Sequence, residues 1–361
     1  MSSIKVLIVD DSAVLCQVLT AQPSARGEVE ITGVAADLQR VGEALQAQWP
    51  DVIVLQLGLA GVDDVALLRQ ILAERPTPVV VSAPPTEAGI ELAMDALGAG
   101  AVCAVTRPTG IPRKVSTDLS DDLLHAVRAA SHARIVPAGG EPIAPRPITP
   151  RPIAACPSCS RFPPVVAIGA SAGGARALET VLRALPADSP GVVAVVHMPE
   201  GFTAAFARLL NPLCQVEVRE ARHGDRVLPG RVLLAPGGAH MLLKRSGTQY
   251  VVDIIDGPAV SRRRPSVDVL FRSVARFAGK EALGIIMTGM GNDGVRGLKE
   301  MHEAGARTIA QDEAGCVGFN MPGEAIRMGA VTRVLPLQAI PEAIMGSVEP
   351  APEVSMEQGP A

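Results

Sequence analysis

The sequence predicts an α/β protein built from two doubly wound parallel sheets, one in each half of the chain. Three observations predict it. Short runs rich in β-branched residues alternate with stretches that carry apolar residues at helical spacing. A chain of 361 residues has room for two cores, at about 100–200 residues per domain. A proline-dense segment, Pro137-Ala-Gly-Gly-Glu-Pro-Ile-Ala-Pro-Arg-Pro-Ile-Thr-Pro-Arg-Pro152, divides the halves; such a segment lacks backbone donors and favours an extended, semi-rigid linker. Charge follows the same division, with a net of −7 over residues 1–130, +3 over 131–164 and zero over 165–361. The expected organisation is a domain at 1–130, a linker at 131–164, a second domain at 165–346 and a disordered tail at 347–361.

Composition excludes several classes. With 48% apolar and 19% charged residues the chain can bury enough surface to fold, and with 2% aromatics its cores must be built from Val, Leu, Ile, Ala and Met. No apolar run approaches the roughly 18 residues of a membrane span, and the opening Met-Ser-Ser-Ile-Lys lacks a signal-peptide layout. Six Cys in so long a chain suit a reducing cytoplasm, and a net charge of −4 argues against a protein devoted to nucleic acid.

In the first half, strands are expected at Ile4–Val9, Val29–Val34, Val52–Leu57, Pro78–Val81 and Ala101–Val105. Helical patterns lie between them, as at Val14, Leu15, Val18 and Leu19 and at Leu67, Leu68, Ile71 and Leu72. Ligands of such sheets sit at the carboxyl ends of the strands, where Asp10 and Asp11 follow the first, Ser82 ends the fourth and Thr106-Arg107-Pro108 ends the fifth. Adjacent carboxylates suit a divalent cation such as Mg²⁺; equally, Asp11 or Ser12 could cap the next helix. These residues, with Pro50-Asp51-Val52, resemble a response-regulator receiver, a flavodoxin-like domain. The resemblance implies a phosphorylated Asp after the third strand, but Gln56 stands at that position, Arg107 replaces the Lys, and Ala104 replaces the switch aromatic. A carboxamide is no nucleophile toward a phosphoryl donor, so the usual phosphorylation is not expected; Asp51, Asp63 and Asp64 are the displaced acceptors to test.

The second half opens on Val165-Val-Ala-Ile-Gly169-Ala-Ser171-Ala-Gly173-Gly174, a strand, a tight turn and a helix with Leu178, Val181, Leu182 and Leu185 on one face. Gly-x-Ser-x-Gly displays a hydroxyl at a sheet edge, as a nucleophile elbow does. By itself it also fits a phosphate-cradling turn or a plain tight connection. The next apolar strand, Val192–Val196, ends at His197, and Phe202, Phe206, Leu209 and Leu210 mark the helix beyond. A third, Leu283–Met287, leads into Thr288-Gly-Met290-Gly-Asn-Asp293-Gly. Alone, His197 reads as structural and Asp293 as a turn residue. Together, three strand ends offer a nucleophile, a base and an acid at one edge.

The segments Ile168–Gly174, Val196-His197-Met-Pro-Glu-Gly-Phe-Thr, Leu228–Met241 with His240, Arg264-Pro-Ser-Val-Asp268-Val-Leu-Phe and Thr288–Gly294 resemble the chemotaxis protein-glutamate methylesterases, the CheB family, over about residues 165–345. The resemblance implies a Rossmann-like catalytic domain with Ser171 as nucleophile, His197 as general base and Asp293 as orienting acid. Met290 would lie beside the oxyanion site, with Ala172 where a Thr is common. It implies hydrolysis of glutamyl γ-methyl esters on chemoreceptors, with deamidation of glutamines available to the same site. No catalytic metal or cofactor is expected. The implied partners are chemoreceptors and the chemotaxis histidine kinase, for an enzyme peripheral to the membrane. Two other readings are a small-ester α/β-hydrolase using Ser171, Asp293 and His302, and a non-enzymatic scaffold. Cys156-Pro-Ser-Cys159 has dithiol or half-zinc spacing but no second pair. Arg262-Arg263-Arg264 reads as a solvated basic patch or as a surface facing the receiver or a receptor helix. His223 and His240 carry no assignment.

Overall fold

The computed structural model describes residues 3–12, 14–21, 25, 27–107, 117–135 and 164–346, and every statement below concerns these. The linker reading for 136–163, Cys156 and Cys159, and the tail 347–361 lie outside them.

In the first half, strands β1 (Ile4–Val9), β2 (Val29–Ala35), β3 (Val52–Gln56), β4 (Val79–Ala83) and β5 (Cys103–Thr106) make one parallel sheet in the order β2-β1-β3-β4-β5. Between them run helices α1 (Val14–Ala21), α2 (Leu38–Ala47), α3 (Asp64–Glu74) and α4 (Glu87–Ala99), with α5 (Thr117–Ser131) after the last strand. β3 and β4 are buried at every residue, which is why they read as unbroken apolar runs rather than alternating ones. Side-chain oxygens of Asp37, Asp63 and Thr86 accept orphan N–H groups at the starts of α2, α3 and α4.

The second half contains β6 (Val165–Ala170), α6 (Gly174–Arg183), β7 (Gly191–Val196), α7 (Phe202–Leu210), β8 (Glu217–Glu220) and β9 (Arg231–Leu234). A hairpin of β10 (His240–Ser246) and β11 (Gln249–Ile255) follows, then α8 (Val267–Phe277), β12 (Ala282–Ile286) and α9 (Val295–Glu303). The chain finishes with β13 (Arg307–Gln311), α10 (Asn320–Arg327), β14 (Arg333–Leu335) and α11 (Ile340–Met345). Seven strands form a parallel sheet ordered β14-β13-β12-β6-β7-β9-β8, and β10 and β11 pair antiparallel outside it. Met241, Leu243, Tyr250 and Val252 of the hairpin share one buried cluster with Leu270, Phe271 and Val274 of α8, while Leu242 is half-buried, as period-two alternation requires. The fold class is as the sequence predicts, with strand limits moved by one or two residues.

The two halves are docked against one another despite the proline-dense segment between them. Val102, Val105, Leu124 and Val127 of the first half share a buried cluster with Ala172 and Met290 of the second. Ile90 on α4 lies against Gly201 at the start of α7, and Glu87 pairs with Arg208 at 3.6 Å. The N–H of Gly173 donates to the Val102 carbonyl at 2.9 Å, and that of Arg134 to the Val317 carbonyl at 2.8 Å. Linker composition sets the stiffness of the connection; complementarity of the flanking surfaces decides whether the domains pack.

Candidate active site

The pairing of β12 with β6 and of β6 with β7 sets three strand ends side by side. The N–H of Ser171 donates to the Thr288 carbonyl at 3.0 Å, and the N–H of His197 to the Ala170 carbonyl at 3.1 Å. Ser171 therefore sits between the loop that carries Asp293 and the strand that carries His197. The Thr288 loop presses close to it: a Cβ on Gly289 would lie 2.2 Å from Met321 Sδ and 2.9 Å from Ser171 Cβ. Only glycine fits there. Gly173, two residues after Ser171, has φ +74, which lets the chain turn sharply into α6.

His197 Nε2 and Asp293 Oδ2 are 2.9 Å apart, with both side chains almost fully buried. Asp293 stands at the N-terminus of α8, where its carboxylate takes hydrogen bonds from Ser266 Oγ at 2.7 Å, Val267 N at 2.8 Å and Asp268 N at 3.1 Å. Asp268 of α8 in turn accepts the Gly297 N–H of α9 at 2.7 Å, so the start of α8 receives a carboxylate from the loop before α9 and the first turn of α9 receives one from α8. Burial alone would push the Asp293 carboxyl up; the bonds from His197, Ser266 and Val267 outweigh it and hold the group below 3.8. Burial, reinforced by the Arg263 guanidinium, pulls His197 below 6.5 despite the pull of Asp293. At neutral pH the carboxylate is ionised and the imidazole neutral. An ionised carboxylate only accepts, so the ring proton is assigned to Nε2. Nδ1 is left as a buried acceptor with no partner among the described residues.

Arg263 is half-buried beside this pair, whereas Arg262 and Arg264 are exposed, so the basic run is not simply a solvated patch. Burial lowers the Arg263 guanidinium from its ordinary value, against the pull of Asp122 on α5 and of Asp293. His302 stands apart from the triad, its Nδ1 3.4 Å from Thr308 Oγ1, which removes the reading that placed it with Ser171 and Asp293. His240 and Ser266 are missed as site residues by sequence reasoning; the only signal is that each lies in a segment carrying the family resemblance.

The acidic pocket of the first half is arranged differently from a cation site. Asp10, rather than the Asp11 or Ser12 of the capping alternative, holds the start of α1: Oδ1 accepts from Ser12 N and Oγ, and Oδ2 from Leu15 N. Asp11 Oδ1 accepts from Gln56 Nε2 at 3.0 Å and from the Arg107 guanidinium at 3.3 Å. Arg107 thus places a positive charge against the acidic pair, while Asp10 is engaged by both oxygens with the start of the next helix. Gln56 Oε1 and Ser82 Oγ are buried without a partner among the described residues. Asp51 accepts from Lys5 N, Asp63 caps α3, and Asp64 accepts from Gly58 N, so the displaced candidates hold backbone instead. Among the described residues no cluster of three or more His, Cys, Asp or Glu is placed to hold a metal ion.

Comparison with known proteins bears on the same two regions. The family described as CheB methylesterase matches residues 166–344, and the response regulator receiver domain matches residues 6–116. A protein-glutamate methylesterase/protein-glutamine glutaminase of Dechloromonas aromatica is 51% identical over 350 residues, 95% of this chain and 98% of the relative. One from Chromobacterium violaceum is 50% identical over 353 residues, 95% of this chain and 99% of the relative. The crystal structure of the Thermotoga maritima CheB methylesterase catalytic domain aligns at 35% identity with a TM-score of 0.50, over 51% of this chain and 97% of that one.

Proposed function

This chain belongs to the CheB methylesterase family, and from that premise we propose that Ser171, His197 and Asp293 are the residues with which it hydrolyses glutamyl γ-methyl esters on chemoreceptors. Side-chain amides of glutamine enter by the same route, with ammonia in place of methanol as leaving group. The observation that carries the assignment is the 2.9 Å contact of His197 Nε2 with Asp293 Oδ2, beside the strand end that presents Ser171.

Ser171 Oγ attacks the γ-carbonyl carbon as His197 Nδ1 takes the hydroxyl proton. Asp293 keeps the ring in the tautomer that frees Nδ1 and stabilises the imidazolium that forms. The oxyanion develops toward the N-terminus of α6 and the Thr288–Met290 loop, where Ala172 and Met290 line the site. His197 then protonates the departing methoxide, giving methanol and an acyl-serine ester. A water, deprotonated by the same Nδ1, attacks that ester and restores Ser171 with release of glutamate. No cofactor enters these steps.

Chemoreceptors are the substrate partners, and the chemotaxis histidine kinase is a docking partner rather than a phosphodonor, because the acceptor position is Gln56. The site of action is the cytoplasm, at the receptor surface; among the described residues no helix is long and apolar enough to cross a membrane. The test is methanol release from methylated receptor membranes by the full chain and by Ser171→Ala. Release by the variant at the rate of the unaltered chain overturns the assignment.

A further inference from the structure

We infer that His240, acting through Ser266, is a positioning residue for the catalytic carboxylate of Asp293. The inference rests on the triad reading above. His240 opens β10, on the hairpin outside the main sheet, and is 2% exposed. Its Nδ1 accepts the Ser266 N–H at 3.2 Å, and its Nε2 lies 3.0 Å from the Pro258 carbonyl. A carbonyl cannot donate, so Nε2 carries the proton and Nδ1 holds the lone pair. The ring therefore clamps two separate stretches of chain, one of which is the start of α8.

A buried His with both nitrogens satisfied is ordinarily only structural. What distinguishes this one is the other end of the residue it holds. Ser266 is fully buried, and its Oγ donates to Asp293 Oδ1 at 2.7 Å. The opposite oxygen, Oδ2, faces His197 Nε2 at 2.9 Å. A carboxylate is planar, so fixing Oδ1 fixes the direction in which Oδ2 presents its lone pair. The order is continuous: His240 ring, Ser266 backbone, Ser266 hydroxyl, Asp293, His197. If Ser266 drifts, the Asp293 plane rotates and the imidazole loses its alignment toward Ser171. The cost falls on the transition state, where His197 becomes charged, and not on substrate binding.

The experiment compares His240→Leu, His240→Gln, Ser266→Ala and Ser171→Ala in the full chain, by steady-state methanol release from methylated receptor membranes and by thermal melting. Leu removes the acceptor and the donor of the ring. Gln restores both, its carbonyl toward Ser266 N–H and its NH₂ toward the Pro258 carbonyl. His240→Leu and Ser266→Ala are expected to lose about 10- to 100-fold in kcat, as for one hydrogen bond to a charged group. KM stays within about twofold, since the lost interaction acts in the transition state. His240→Gln recovers most of the rate. Folded Leu and Ala variants with unchanged kcat, a loss carried by KM, or a folded Gln variant as slow as Leu, would each overturn the inference. Should His240→Leu fail to fold, Ser266→Ala and His240→Gln decide by the same criteria. Full activity in Ser171→Ala overturns the triad itself, a failure distinct from the others.

Discussion

The N–H of Gly173 donates to the carbonyl of Val102 across the domain boundary, at 2.9 Å and two residues beyond Ser171. The first domain thus places a peptide oxygen on the turn that carries the nucleophile, over a buried apolar contact with Ala172 and Met290. A domain packed against this turn would compete with a receptor segment for one surface. A fragment beginning near Phe162 should therefore release methanol faster than the full chain. The relative solved as a catalytic domain alone makes such a fragment reasonable. A soluble, folded fragment slower than the whole chain would refute the cover.

The triad predicts a graded series. Ser171→Ala and His197→Ala should each cost about five to six orders of magnitude in kcat, because the two act as a unit. Asp293→Asn should cost about three to four orders, by favouring the wrong imidazole tautomer. Stopped assays on receptor membranes check both, and a folded His197→Ala variant of full activity excludes the assignment.

Gly289→Ala tests the close approach to Ser171. The added methyl meets Met321 Sδ at 2.2 Å and Ser171 Cβ at 2.9 Å. Met321 can yield, but the nucleophile turn must then shift. Stability should fall by about 1–3 kcal/mol. Activity should fall further, by about 100-fold, since displacements near 1 Å misalign the attack. A melting curve and a rate on the same sample decide, and an unchanged rate contradicts the packing described.

Acid should act on both rate and stability. His197 is held below 6.5, so the acid limb of kcat/KM should have its midpoint below that value, with activity lost as pH falls through it. His125 on α5 lies in the same junction; burial first, then Arg263, Arg262, Arg128 and His197, push it down to about 4. The unfolded chain binds this proton near 6.5 and the folded chain only near 4, so protons favour unfolding across that window. Stability is fully present above 6.5 and declines toward 4. Urea midpoints at several pH values measure the slope, which His125→Gln should reduce. A midpoint that rises on acidification would show the sign to be wrong.

The Gln56–Asp11–Arg107 set predicts a receiver indifferent to phosphodonors. Incubation with Mg²⁺ and acetyl phosphate should leave residues 1–130 unlabelled and the esterase rate unchanged. Base-labile label there, with a rise in rate, would mean that an acceptor other than Gln56 is in use.

Much of this was written in the sequence. The alternation of apolar runs determined two parallel-sheet domains, and parallel strands necessarily gather their carboxyl ends on one edge, so Ser171, His197 and Asp293 could be placed together from three segments, the outer two of which lie more than a hundred residues apart. Gln56 at the acceptor position was equally plain, since residue identity alone removes the nucleophile. Tertiary structure decided the rest. That Asp293 meets Nε2 and not Nδ1, that Asp10 and not Asp11 caps α1, and that His240 holds Ser266 all depend on side-chain directions between residues distant in the chain. The docking of the first domain over Ala172 and Met290 depends on the shape of two surfaces. Periodicity records which face of an element is buried, but not which partner buries it, because many apolar surfaces satisfy the same pattern and only close packing selects one.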